Sequence, residues 1–120
     1  SNMSKTIIRS AFLALTVAAL AACSSIPAPT AEMAVAQSTV QRVSTAPQVT
    51  AYAPVELQNA RDLWSKAERA MEKKDYVEAR RYAELAEGEA RLAESKAQAA
   101  ENDARLKAVQ RGIQQAQPAR

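Results

Sequence analysis

Residues 76 to 104 repeat a spacing that dictates much of what this chain can fold into. Tyr76, Ala79, Ala83, Ala86, Ala90, Ala93, Ala97, Ala100 and Ala104 follow one another at alternating intervals of 3 and 4 residues, and eight of the nine are alanine. This period is close to that of the α-helix and gathers all of them on one face. A seam sustained over four heptads requires another helix lying along it, and alanine lets the two backbones come closer than leucine would.

The partner helix is expected just upstream. Pro54 suits the first helical position, where its missing N–H costs nothing, and Glu56 lies in the first turn, where the helix dipole favours an acid. Leu57, Ala60, Trp64, Ala67 and Met71 then recur at intervals of 3 and 4, with Leu63 and Ala70 widening the stripe. Lys73 and Lys74 place two cations beside the unsatisfied last carbonyls, and Asp75 with Glu78 makes a capping-box-like start for the second helix. Residues 54–116 are therefore expected to form a hairpin of two antiparallel helices, about 54–73 and 76–116, before a tail over 117–120. One uninterrupted helix is the alternative, since neither Gly nor Pro breaks Lys73 to Tyr76. Trp64, the largest side chain on the first stripe, is the expected buried anchor.

Upstream of Pro54 the composition changes. Residues 24–53 carry Pro27, Pro29 and Pro47, eight Ser or Thr, and two charges, Glu32 and Arg42. Residues 23–53 read as a flexible tether with a reach of roughly 30 Å. Inside it Met33, Ala36, Val40 and Val43 are spaced 3, 4 and 3, so a short amphipathic helix is open as a second reading. Further back, Lys5 and Arg9 precede an apolar run from Ala11 to Leu20. The run is too short for the roughly 20 residues of a bilayer span and suits the core of a signal peptide over residues 3–22. Ser1 and Asn2, before Met3, read as the scar of a cleaved tag.

The charge balance and the residue inventory remove whole classes of function. The net charge is +3, but two of the 16 Lys and Arg precede Cys23, leaving 14 against 13 acids, a net of +1. Charges of both signs alternate with no basic block, so nucleic acid is not an expected partner. There is no histidine, the one cysteine is Cys23, and the helical region offers only Ser65 and Ser95 as hydroxyls besides its tyrosines. No nucleophile with a base can be assembled from these, and carboxylates without an acid-rich glycine loop make a poor metal site. The chain is expected not to be an enzyme, with no catalytic residue, metal or cofactor. Asp62 with Lys66, Glu87 with Arg91, Glu101 with Arg105 and Asp103 with Lys107 are i, i+4 pairs that read as a solvated surface.

Four stretches resemble known families. Leu20-Ala21-Ala22-Cys23 resembles the lipobox of bacterial lipoproteins, which implies that Cys23 is diacylglycerylated, that the chain is cut before it, and that the new N-terminus is acylated. Acyl chains contribute ~0.8 kcal/mol per buried methylene, so such an anchor implies membrane lipid as a lasting partner. Ser24 in the next position implies, by likeness to enterobacterial sorting, an outer-membrane lipoprotein of the cell envelope facing the periplasm. Asp75-Tyr76-Val77-Glu78-Ala79, with Ala86 beyond and Leu63 and Ala67 before, is similar to the turn and second helix of a single tetratricopeptide unit, too few to build a groove. Over Ala53 to about Val109 the chain resembles the domain of unknown function 4398 family of short helical bacterial lipoproteins. Ala53-Pro54-x-Glu56-Leu57, the Ala and Leu stripe, Asp75-Tyr76-x-x-Ala79 and the long second helix carry that likeness. Cys23-Ser24-Ser25 with alanine-containing heptads also resembles the murein lipoprotein family, whose attachment to peptidoglycan uses a C-terminal lysine absent from Gln117-Pro118-Ala119-Arg120.

The expected fold is all-α: an antiparallel helical hairpin with a long Ala-rich second helix, after a signal peptide and tether. Leu57, Ala60, Leu63, Trp64, Ala67 and Met71 are expected to pack against Tyr76, Ala79, Ala83, Ala86, Ala90 and Ala93. Helix two, 41 residues or about 60 Å long, outreaches helix one, 20 residues or about 30 Å. Its distal part carries Ala97, Ala100 and Ala104 on the seam, and Leu85, Leu92, Ala99, Leu106 and Ile113 recur every 7 residues on another face. Leu85, Leu92, Ala97, Ala100, Ala104, Leu106 and Ile113 are thus an expected oligomer face, most simply of a dimer. The function expected is that of a structural or adaptor lipoprotein acting through helix-helix association, with an envelope protein as a further possible partner. The alternative is a binding module for a peptide or peptidoglycan fragment, with Tyr76, Tyr82 and Trp64 lining a small groove.

Overall fold

The computed structural model describes residues 26–116. The leader, Cys23 and the tail over 117–120 lie outside the described residues. Within them the fold is all-α, with helices α1 (Thr30–Ser44), α2 (Pro47–Tyr52), α3 (Pro54–Glu72) and α4 (Tyr76–Ala116). No helix among the described residues is long and apolar enough to cross a membrane.

Proline sets the upstream boundaries. Pro47 and Pro54 each stand at the start of a helix, α2 and α3, where a missing N–H breaks no intrahelical bond. The turn between α3 and α4 is closed differently. Lys74 adopts the left-handed conformation at φ 59° and donates its N–H to the Met71 carbonyl at 3.0 Å, while the Asp75 N–H reaches the Ala70 carbonyl at 2.9 Å. This is the Schellman pairing, built on lysine where glycine is usual. It ends α3 without any Gly or Pro, and the uninterrupted helix is not formed.

Pairings along α4 give the directions. Arg80 lies 3.7 Å from Glu32 and Arg42 pairs with Glu94, so α1 runs parallel to α4. Lys96 reaches Glu56 at 2.7 Å and Lys66 sits over the Tyr82 ring, so α3 runs antiparallel. The result is an up-down-up bundle in which α1 and α3 share one side of α4, with α2 crossing between them at the far end.

The segment expected as tether is therefore corrected: residues 30–44 and 47–52 are helical, and Ala36, Val40, Val43 and Val49 are buried. The reason is the spacing of Met33, Ala36, Val40 and Val43, which makes an apolar stripe despite the Ser, Thr and Pro around it. A seam of alanine on α4 leaves room for two neighbours, and a hairpin alone would cover only one flank. Thr39, buried within α1, turns its hydroxyl back to the Val35 carbonyl at 2.9 Å, so its burial leaves no unmet polar group.

The core has almost no bulk at its centre. Ala79, Ala83, Ala86, Ala90, Ala93 and Ala97 of α4 have no exposed surface, nor do Ala36, Ala60 and Ala67 facing them. Val43 and Val49 are the largest fully enclosed side chains. Close approach of three backbones replaces side-chain volume here, so the interior has no slack for growth. Ala90→Leu is expected to destabilise the bundle by ~1–3 kcal/mol through overpacking. Thermal unfolding followed by circular dichroism should show the drop, and an unchanged Tm would mean that α1 or α3 is not seated as described.

Candidate association surface

The residues expected to pack the hairpin divide into two groups. Leu57, Ala60, Ala67 and the alanines from Ala79 to Ala93 are buried, whereas Leu63, Trp64, Met71 and Tyr76 are only half-buried. Trp64 is not the enclosed anchor: it lies at the margin between two clusters, one around Val40, Val43, Leu57 and Ala90, the other around Ala36, Ala67 and Ala83. An indole cannot enter an interface whose spacing is set by alanine, so it packs along the edge and joins the two clusters.

The expected start of α4 is half correct. The Glu78 N–H donates to the Asp75 carboxylate at 3.3 Å, so Asp75 caps the helix. Glu78 does not return the bond; its carboxylate is held by Arg81 at 2.6 Å. That pairing keeps the Glu78 carboxyl below its ordinary pKa, and a charge-assisted bond to guanidinium outcompetes one to a backbone N–H at the surface.

One long-range ion pair latches the end of the bundle far from the α3–α4 turn. Lys96 Nζ donates to Glu56 Oε1 at 2.7 Å, and the Glu56 carboxylate is mostly covered, its side chain 16% exposed. The hydrogen bond from Lys96, followed by one from the backbone, holds the Glu56 carboxyl below its ordinary pKa. A lowered folded-state pKa means that the latch is complete at neutral pH and is lost as the pH falls through the carboxylate range. A carboxyl NMR titration is expected to place the Glu56 midpoint below ~4.3, the ordinary glutamate value, and Lys96→Met should return it toward that value. An identical midpoint in both proteins would remove the latch.

At the turn end, Tyr82 is half-buried and carries two cations, Arg81 at 4.4 Å and Lys66 at 5.7 Å from its ring. With Lys66, Arg69, Lys73, Asp75 and Glu78 it lines a shallow cavity of about 260 Å³. Tyr76 and Val77 line another of about 480 Å³ with Ile26, Pro27 and Pro29. The three aromatic residues are thus not brought into one groove: Trp64 lies at the core margin and the two tyrosines face separate hollows.

The expected oligomer face also divides. Ala97 is fully buried inside its own chain and is removed from that face, because α4 is still covered at that height. Ala100 is half-buried and Ala104 exposed, at the point where cover ends. Leu85, Leu92, Leu106 and Ile113 stand in solvent at 45%, 52%, 56% and 56% exposure, joined by Val109 at 58%. From about residue 101 onward α4 projects alone.

Sequence reasoning missed Arg42–Glu94 and Glu56–Lys96, which join residues 52 and 40 apart. No local spacing announces such a pair. It found three of the shorter ones: Glu87–Arg91, Glu101–Arg105 and Asp103–Lys107 are present at 2.8, 2.5 and 3.0 Å, while Asp62 instead accepts from Gln58 at 2.9 Å, and Arg80–Glu84 and Glu78–Arg81 went unnoticed.

The described chain is a small all-α bundle in which one helix outruns its cover and presents a bare apolar line. It belongs to the family described as Domain of unknown function (DUF4398), whose model matches residues 31–109. That match starts in the first turn of α1, so α1 and α2 are part of the family's unit and the likeness does not begin at Ala53. No curated protein and no solved structure matches the chain.

Proposed function

We propose that this chain is a non-catalytic lipoprotein of the bacterial outer membrane, anchored through Cys23 and acting as a structural or adaptor piece through helix-helix association. The observation that carries the reading is α4, a helix of 41 residues with its distal part free of intrachain cover and six large apolar side chains, Val77 among them, in solvent along it. Exposed apolar lines of this length mark interaction surfaces on soluble domains. Many of the charged groups of the described residues pair with one another on the surface, as Arg80 with Glu84 and Arg91 with Glu87 do, and this supports the same reading.

The position of the first helix adds orientation. With α1 starting at Thr30, Pro29 stands six residues along the chain from Cys23, a span of at most about 20 Å. The α3–α4 turn lies at the same end, beside Ile26. An acylated Cys23 would therefore keep the turn end close to the lipid and direct α4 away from it. The long tether expected to hold the domain clear of the headgroups is not available for that purpose.

Expression of the native precursor is expected to give a mature chain beginning at Cys23 with acyl mass, and Cys23→Ala should accumulate unprocessed precursor. Mass spectrometry decides it: normal cleavage without acyl groups would end the anchored reading.

A second reading, a binding module for a peptide or peptidoglycan fragment, is favoured by Tyr82 alone, half-buried among cations in its shallow cavity. Titration of muropeptides against Tyr82 should then shift its ring NMR signals, and Tyr82→Leu should abolish the effect. No shift at millimolar ligand leaves the association reading.

A further inference from the structure

Leu85, Leu92, Ala99, Leu106 and Ile113 recur every 7 residues along α4. The positions three beyond each are Gly88, Ser95, Asn102, Val109 and Ala116, all small or apolar apart from one asparagine. Together they alternate at 3 and 4 and make a second heptad seam, on the side of α4 opposite the alanines that face α1 and α3. The two seams exchange roles along the helix. After Ala104 the inner spacing continues through Lys107, Arg111 and Gln114, whereas the outer seam gains Leu106, Val109 and Ile113. The projecting part of α4 is thus apolar only on its outer side, and nothing in its own bundle reaches that side.

Gly88 fits the same arrangement, although Gly112, off the seam, is equally open. Gly88 sits inside α4, where glycine weakens a helix relative to alanine, yet a Cβ built there meets nothing within 4 Å. The isolated chain has no use for a glycine at that position. A large side chain reaching in from a second helix along the outer seam would.

Resting on the association reading above, we propose that the occupant of this outer seam is the same seam of a second copy, running antiparallel, with Ala99 opposite Asn102 of the copy. In that register every seam residue finds a partner, and the sizes complement. Leu85 meets Ala116, Gly88 meets Ile113, Ser95 meets Leu106, and Leu92 meets Val109. Small against large at three of these layers, with Val109 the smaller partner of Leu92 at the fourth, keeps two helices evenly spaced. A parallel pair would set Gly88 on Gly88 and Ser95 on Ser95 between layers of leucine on leucine, with a gap at each. Sliding the antiparallel pair one heptad in one direction carries Leu85 and Gly88 past Ala116, where the copy's α4 ends, and in the other sets Ile113 against Arg81. The lone asparagine, which now accepts from Gln98 at 3.3 Å, falls beside the dyad against alanine, where one polar residue can fix register.

The test uses residues 24–120, which keep the whole closed core, since Ala36 to Ala97 bury one another within residues 30–116. This chain lacks the only cysteine, so cysteines placed at Ser95 and Leu106 report alone. On mild oxidation a mixture of Ser95→Cys and Leu106→Cys should give the mixed disulfide, with neither variant linking to itself. Leu106→Asp should raise the dimer dissociation constant in sedimentation at least about tenfold while leaving helix content unchanged, because a charge is placed in an apolar seam. Self-linked Leu106→Cys with no mixed product would overturn the antiparallel register and leave self-association standing. A strictly monomeric wild type at high micromolar concentration would overturn both. A dimer untouched by Leu106→Asp would place the contact elsewhere and overturn the seam.

Discussion

The absence of side-chain bulk along the inner face of α4 is the constraint from which the rest follows. Six alanines without exposed surface allow α1 and α3 to lie on one side of α4 together. Leucine at those positions would push the neighbours outward and admit only one of them. Alanine contributes little by its own burial, about a methyl group's ~0.8 kcal/mol. Most of the gain therefore comes from the tight contact of backbones and from the larger residues that rim the alanines: Val40, Val43, Val49 and Leu57 inside, with Leu63 and Trp64 at the margin.

Such a core specifies distance well but axial position poorly, since one alanine is much like the next. Polar contacts at the two ends supply that register. Glu32 and Arg80 meet near the start of α4, while Arg42 with Glu94 and Glu56 with Lys96 meet near the end of its covered part. The two pairs of α1 are exposed enough to be weak as a source of stability. The value of these contacts lies in position, most plainly for Glu56, because sliding α3 by one heptad would set it against Glu89 or Asp103 in place of Lys96. The Schellman turn at Lys74 acts similarly on α3, fixing where it stops relative to the first alanine of α4.

These features differ in how plainly the sequence carries them. The α3 and α4 boundaries were legible to within one residue, because Pro54, Lys73-Lys74 and Asp75 each act locally and each leaves a residue-type signature. The alanine seam was equally plain, but it announces that cover is needed without saying from how many helices. Composition around Met33 to Val43 argued for a tether, while periodicity argued for a helix, and periodicity won because four apolar residues on one face had a waiting surface. Ala97 was misplaced for the same reason: with α1 and α2 uncounted, α4 seemed bare too early. The oligomer face otherwise kept its leucines and isoleucine in solvent. The long-range ion pairs, which depend on three helices being docked, had no sequence signal at all.

Geometry then constrains how an anchored pair could be arranged. Tyr76, at the turn end of α4, is about 37 Å along the helix from the midpoint between Ala99 and Asn102, at 1.5 Å per residue. In the antiparallel register the two turn ends are therefore held about 74 Å apart, each with its Cys23 no more than about 20 Å away. The links are too short to close that gap. Two lipidated copies joined in this way cannot both stand upright on one membrane. On a single surface the pair must lie along it, with both bundles near the lipid, and it can stand upright only where its two ends meet two separate lipid surfaces.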